Sequence, residues 1–98
     1  KTLDWGQVTP EGANTDLNEF YYVYNHDLSS EEKIDRTIRF IVGRLNYYDL
    51  HLPPNPKHIV KVDVRGQGIS DFTCDSMIRE VKARYARSNS LVVEIITK

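Results

Sequence analysis

A single cysteine, Cys74, stands in 98 residues, so no internal disulfide can form and a disulfide-stapled secreted scaffold is excluded. The three histidines, His26, His51 and His58, include no pair at a spacing such as HExxH, and with one cysteine no metal site is expected. No apolar run approaches the roughly 20 residues of a membrane-spanning helix, and no charged-then-apolar leader opens the chain. Neither sign of charge dominates: 13 Lys and Arg face 14 Asp and Glu, for a net charge of −1 and a sequence pI near 6.3. General nucleic-acid binders carry a basic stripe and a pI above about 9. A passive DNA coat is therefore excluded, whereas an enzyme that grips one phosphate backbone through a local patch is not. A Gly-x-Ser-x-Gly elbow is missing, and "VDVRGQG" has the wrong glycine spacing and no Lys-Ser/Thr pair for a phosphate loop.

What is present describes one folded domain. Hydrophobic residues make up 40% and charged residues 28% of the chain, near globular averages, and a chain this long buries roughly 60–68% of its unfolded surface. Residues 1–60 carry nine acids and six bases, residues 61–98 seven bases and five acids, so the acidic excess lies in the first part. Positions 1–17, with "TPEGANTD", read as an irregular arm that Trp5 and Val8 anchor on the core. "EFYYVY" at 19–24 has the aromatic and β-branched content of a strand. A helix follows: Ser29 or Ser30 starts it, Ser29 with Glu32 fits a capping box, and Ile34, Ile38, Ile41 and Leu45 recur at helical spacing. Beyond Leu45 a loop over 46–57 is expected, because Pro53 and Pro54 cannot sit inside a helix.

The last forty residues are the most regular. Val60, Val62 and Val64 alternate with Lys61, Asp63 and Arg65, the period of a strand. Gly66 and Gly68 make a turn. Cys74, Ile78, Val81 and Tyr85 then give a second helix from Ser70 or Asp71 to near Arg87 one buried stripe, and Cys74 reads as a small buried hydrophobe. Leu91 to Thr97 resembles a strand covered on both faces. The expected fold is α+β: a small mixed sheet of three or more strands packed with two helices, in the order β-α-β-α-β after the arm.

Candidate chemistry gathers at two places. A strand entering Gly before a helix start brings backbone N–H groups and a positive dipole end to the sheet edge, where Arg65 and Gln67 flank the turn. The loop at 46–57 collects the polar tips of Tyr47, Tyr48, His51 and Asn55. Metal-free RNA cleavage needs a proton acceptor for the 2′-hydroxyl, a donor for the leaving oxygen and a cation for the phosphate. His51, His26 and Arg65 are the candidate catalytic residues, with Gln67, Tyr48 and Arg87 as substrate-binding candidates. No cofactor is expected.

The segment from Val60 to Lys98, with "VDVRGQG" leading into a helix and a closing apolar strand, resembles the carboxy-terminal toxin domains of bacterial contact-dependent growth-inhibition proteins. The resemblance implies a cytotoxic enzyme, commonly a nuclease against tRNA or other RNA, neutralised by a cognate immunity protein. It also implies delivery at the cell surface as the tip of a larger secreted protein, with action in the target-cell cytoplasm. A start at Lys1 rather than Met fits such a piece. The alternative is a noncatalytic interaction module, an immunity protein or adaptor residing in the cytoplasm, whose tyrosine-rich strand and "YYDLHLPP" segment supply an interface. Convergence separates the two: an enzyme brings a histidine and Arg65 into one cleft, and an adaptor leaves them scattered.

Overall fold

The structure, a computed structural model, describes residues 19–51 and 56–98; the arm at 1–17, Trp5 and Val8 with it, and Asn55 lie outside them. Strand β1 (Glu19–Tyr24) leads into helix α1 (Glu31–His51), strand β2 (Lys57–Asp63), helix α2 (Asp71–Arg84), a 3-10 turn (Ser88–Ser90) and strand β3 (Leu91–Ile96). This is the β-α-β-α-β order of a two-helix, three-strand α+β domain. The sheet runs β1-β2-β3 with both pairings parallel, so it is not the mixed sheet expected from sequence. Each helix returns the chain to the edge where the preceding strand began, and a strand entered after such a crossover must run parallel to the last.

Strand parity sorts the side chains. Phe20, Tyr22 and Tyr24 of β1, His58, Val60 and Val62 of β2, and Leu91 and Val93 of β3 point inward and are buried. The apolar members join Ile38, Ile41, Leu45 and Tyr48 of α1 and Cys74, Met77 and Val81 of α2 in one core. The two helices pack on each other and on this inner face, as consistently right-handed crossovers in one direction require. On the outer face Tyr21, Ile59 and Val92 form one cross-strand row and Val23, Lys61 and Glu94 the next. Consequently β3 is an edge strand covered on one face: Leu91 and Val93 are buried, Val92 and Ile96 half-buried and Glu94 exposed.

Both helices start where expected, and their C-terminal ends differ from the expected ones for local reasons. Ser30 caps α1, its Oγ accepting from the Lys33 amide at 3.2 Å, while Glu32 pairs with Arg36 at 2.7 Å instead of closing a capping box with Ser29. The helix continues through His51 rather than ending at Leu45, so Tyr47, Tyr48 and His51 are helical and the expected loop loses its first half. Tyr48 is the cause: three residues after Leu45 it extends the apolar stripe, and its ring is fully buried beside Tyr22, centroids 5.1 Å apart. Ser70 caps α2 by accepting from the Thr73 amide at 3.2 Å. That helix stops at Arg84, three residues early, because Tyr85 turns to an extended conformation. Gly66 and Gly68 take positive φ, 80° and 66°, a backbone region that side chains with a Cβ resist.

Candidate functional site

The chemistry-bearing side chains occupy two opposite edges of the sheet, joined by α1. At the edge where the strands end, the turns after β1 and β2 are spliced by one side chain. Gln67 accepts from the Leu28 amide at 2.7 Å and donates to the His26 carbonyl at 2.8 Å. Both hydrogen bonds reach back some forty residues, so this amide, a turn residue by sequence, holds two loops in register. Arg65 is gripped by Asp63 through a fork, Nε to Oδ1 at 3.0 Å and Nη2 to Oδ2 at 2.7 Å, the bidentate geometry that strengthens such pairs. That guanidinium, with the Arg65 amide, holds the Asp63 carboxyl at about 2, well below the usual carboxylate range.

A cleft of about 440 Å³ opens beside α1 at the same edge, lined by Asn25, His26, Asp27, Lys33, Arg36, Thr37 and Phe40. His26 continues the inward parity of β1; its Nδ1 lies 3.3 Å from the Thr37 hydroxyl, and its ring is 5.2 Å from that of Phe40. Lys33 rests on Asp27 at 2.7 Å and Arg36 on Glu32 at 2.7 Å. All four are exposed, so these pairs contribute little and a stronger anion can displace the carboxylates. Hydrogen bonds from Lys33 and Ser29 hold the Asp27 carboxyl at about 2. The cleft is thus a histidine beside two exchangeable cations. Arg65, in the turn after β2, does not line it; its guanidinium is held on Asp63, at an outward position of β2.

At the other edge lies a buried polar network. Asp49, in the last turn of α1, contacts His58 Nε2 at 2.8 Å, the Tyr85 hydroxyl at 2.5 Å and Arg87 Nη1 at 3.0 Å. His58 Nδ1 meets the Tyr22 hydroxyl at 2.6 Å, and Arg87 reaches the Pro56 carbonyl at 3.4 Å. Burial pushes the His58 imidazole down, against the pull of Asp49. It also pushes the Tyr22 hydroxyl up, and the Tyr85 hydroxyl likewise, with the Asp49 carboxylate adding to the latter. A neutral imidazole with one acceptor and one donor nitrogen satisfies both neighbours, which identifies this as a structural staple of α1, β1, β2 and the segment after α2.

The sequence candidates therefore divide. His26 and Gln67 sit at the strand-end edge, with Arg65 on the outer side of the same edge. His51 lies at the far end of α1, exposed, its ring 4.3 Å from that of Tyr47. Tyr48 is core, and Arg87 is bound into the Asp49 network, which leaves both serving the fold. Sequence reasoning missed Lys33 and Arg36 as residues that line one cleft with His26, and missed the Asp49 network altogether. A signal for the network existed: His58 shares the inward parity of Val60, Val62 and Val64, and an imidazole on an apolar face must find polar partners. Among the described residues, no three His, Cys, Asp or Glu side chains group as metal ligands would, and no helix is long and apolar enough to cross a membrane. The chain matches no family model, no curated protein and no solved structure.

Proposed function

We propose that the domain is the cytotoxic effector of a bacterial contact-dependent toxin system, a ribonuclease that engages tRNA or another RNA at the cleft beside α1. The observation that carries the reading is the placement of His26 with Lys33 and Arg36 in one cleft, beyond the carboxyl ends of the parallel strands. In the proposed reaction His26 takes the 2′-hydroxyl proton, and the 2′-oxygen attacks the adjacent phosphorus. Lys33 and Arg36 offset the charge that develops on the phosphoryl oxygens. The P–O5′ bond breaks, the 5′-oxygen takes a proton from water, and a 2′,3′-cyclic phosphate remains. Arg65 is held on Asp63 and does not line this cleft, and His51 is at the other end of α1, so neither enters the proposed chemistry. Delivery by a larger protein, action in the target-cell cytoplasm and a cognate immunity protein belong to the same proposal.

Induced expression inside a bacterium tests it, with growth and total RNA integrity as readouts. Growth arrest with discrete RNA fragments is expected, lost in His26→Ala and kept in His51→Ala and Arg65→Ala. Intact RNA and normal growth from abundant folded protein would overturn the proposal. The second reading, a noncatalytic interaction module, draws support from the separation of Arg65 from His26 and His51, because scattered candidates are what a binding scaffold leaves.

A further inference from the structure

On the helical layer, away from the sheet and from the His26 cleft, α1 and α2 enclose a second groove of about 300 Å³. Ile34 and Ile38 of α1 and Met77 of α2 line it; Ile38 and Met77 are already buried in the core, so half-buried Ile34 and Phe72 carry the apolar surface it offers. Its two ends differ. At the end towards Arg84, that guanidinium bridges Asp35 and Glu80, at 3.1 Å each, and closes the groove with balanced charge. At the opposite end Phe72 stands 77% exposed, outside the stripe of Cys74, Met77 and Val81 through which α2 joins the core. Three carboxylates belong to this end: Glu31 lines the groove with Phe72, and Asp71 and Asp75 stand one residue before and three after Phe72 on α2. None has an ion-pair partner among the described residues. Their place at the helix starts accounts for two of them through the helix dipole. It does not account for a large aromatic side chain held in water at the same end.

We infer that this groove is a docking site for a basic amphipathic helix of another protein, whose apolar side chains cover Phe72 and half-buried Ile34 while its Lys or Arg residues meet Glu31, Asp71 and Asp75. Charge decides the occupant. A second copy of this chain applied to the same face would bring two sets of these carboxylates together, and like charges across an interface disfavour it. A basic helix meets them with the opposite sign. Along α2 the groove runs from Phe72 to Arg84, about 18 Å at 1.5 Å per residue, so it takes three to four turns of a helix. Apolar anchors at i, i+3 or i+4 and i+7 suit such a groove.

The test uses the full chain and a synthetic amphipathic leucine–lysine helical peptide as the probe, with a leucine–glutamate peptide of equal length as control. Nuclear magnetic resonance maps the site and calorimetry measures affinity. Expected are shifts confined to residues 31–38 and 71–84 with the lysine peptide, affinity reduced at least tenfold in Phe72→Ala, and a further loss in Glu31→Lys. Both positions are exposed, so both variants are expected to fold; near-ultraviolet circular dichroism confirms it. Equal binding of the glutamate peptide, shifts elsewhere, no binding at all, or undiminished affinity in folded Phe72→Ala would each overturn the inference. So would concentration-dependent dimerisation abolished by Phe72→Ala, which would assign the groove to a second copy.

Discussion

Replacing Asp49 by alanine removes the acceptor at the centre of the buried network. His58 Nε2, 2.8 Å from Asp49, and the Tyr85 hydroxyl, at 2.5 Å, lose their partner in a region where His58 is 0% and Tyr85 2% exposed, too enclosed for water to substitute readily. Arg87 loses its carboxylate but is half-exposed and can turn to solvent. No buried charge is stranded, because the His58 imidazole is neutral, so the cost is that of two orphaned buried groups at about 1–3 kcal/mol each, about 2–6 kcal/mol together. Against a total stability of roughly 5–15 kcal/mol for a domain of this size, that is a large fraction, and it lowers Tm by about 10 °C or more. The assay is urea unfolding followed by circular dichroism, with the cycle Asp49→Ala, His58→Ala and the double variant. The double variant should cost less than the sum of the singles, because the second change removes a group the first had already stranded. A loss below about 1 kcal/mol in Asp49→Ala, or strict additivity, would refute the staple.

The same network makes stability pH-dependent. Because burial lowers the His58 pKa below its unfolded value of 6.5, the unfolded chain binds the proton more readily. This contribution is intact above about pH 6.5 and is lost as pH falls from there towards the lowered folded value; a His58→Phe variant should show a weaker decline over that window in urea titrations. Gln67→Ala cuts both hydrogen bonds between the two turns and should cost about 1–3 kcal/mol, with amide exchange accelerated around Leu28; unchanged exchange there would contradict its bridging role. Arg65→Ala should return the Asp63 carboxyl from about 2 towards the ordinary range, read by carboxyl carbon shifts during an acid titration. A Gly66→Ala change forces a Cβ into φ of 80° and should destabilise by about 1–2 kcal/mol without altering the spectrum of the folded state.

Element type and order were legible because they follow from periodicity along the chain. Val60, Val62 and Val64 alternate whatever lies beside them, and Ile34, Ile38, Ile41 and Leu45 make one stripe on any helix, so β-α-β-α-β could be derived before any contact was known. The parallel direction of β1 and β2 depends on where α1 delivers the chain, a distance set by packing rather than by local pattern. Helix length was decided the same way: Tyr48 looks like a loop tip beside two prolines until the Tyr22 ring and the core receive it. Side-chain partnership was least legible. Sequence proximity made Tyr48 and His51 neighbours on one expected loop, yet a helix sends one into the core and the other into solvent. Asp49, His58, Tyr85 and Arg87, spread over 39 residues, meet only because the end of α1, the start of β2 and the exit from α2 share one edge of the sheet. That Lys33 and Arg36, rather than Arg65, line the cleft with His26 is a consequence of α1 folding back over the inner face, which no local pattern discloses.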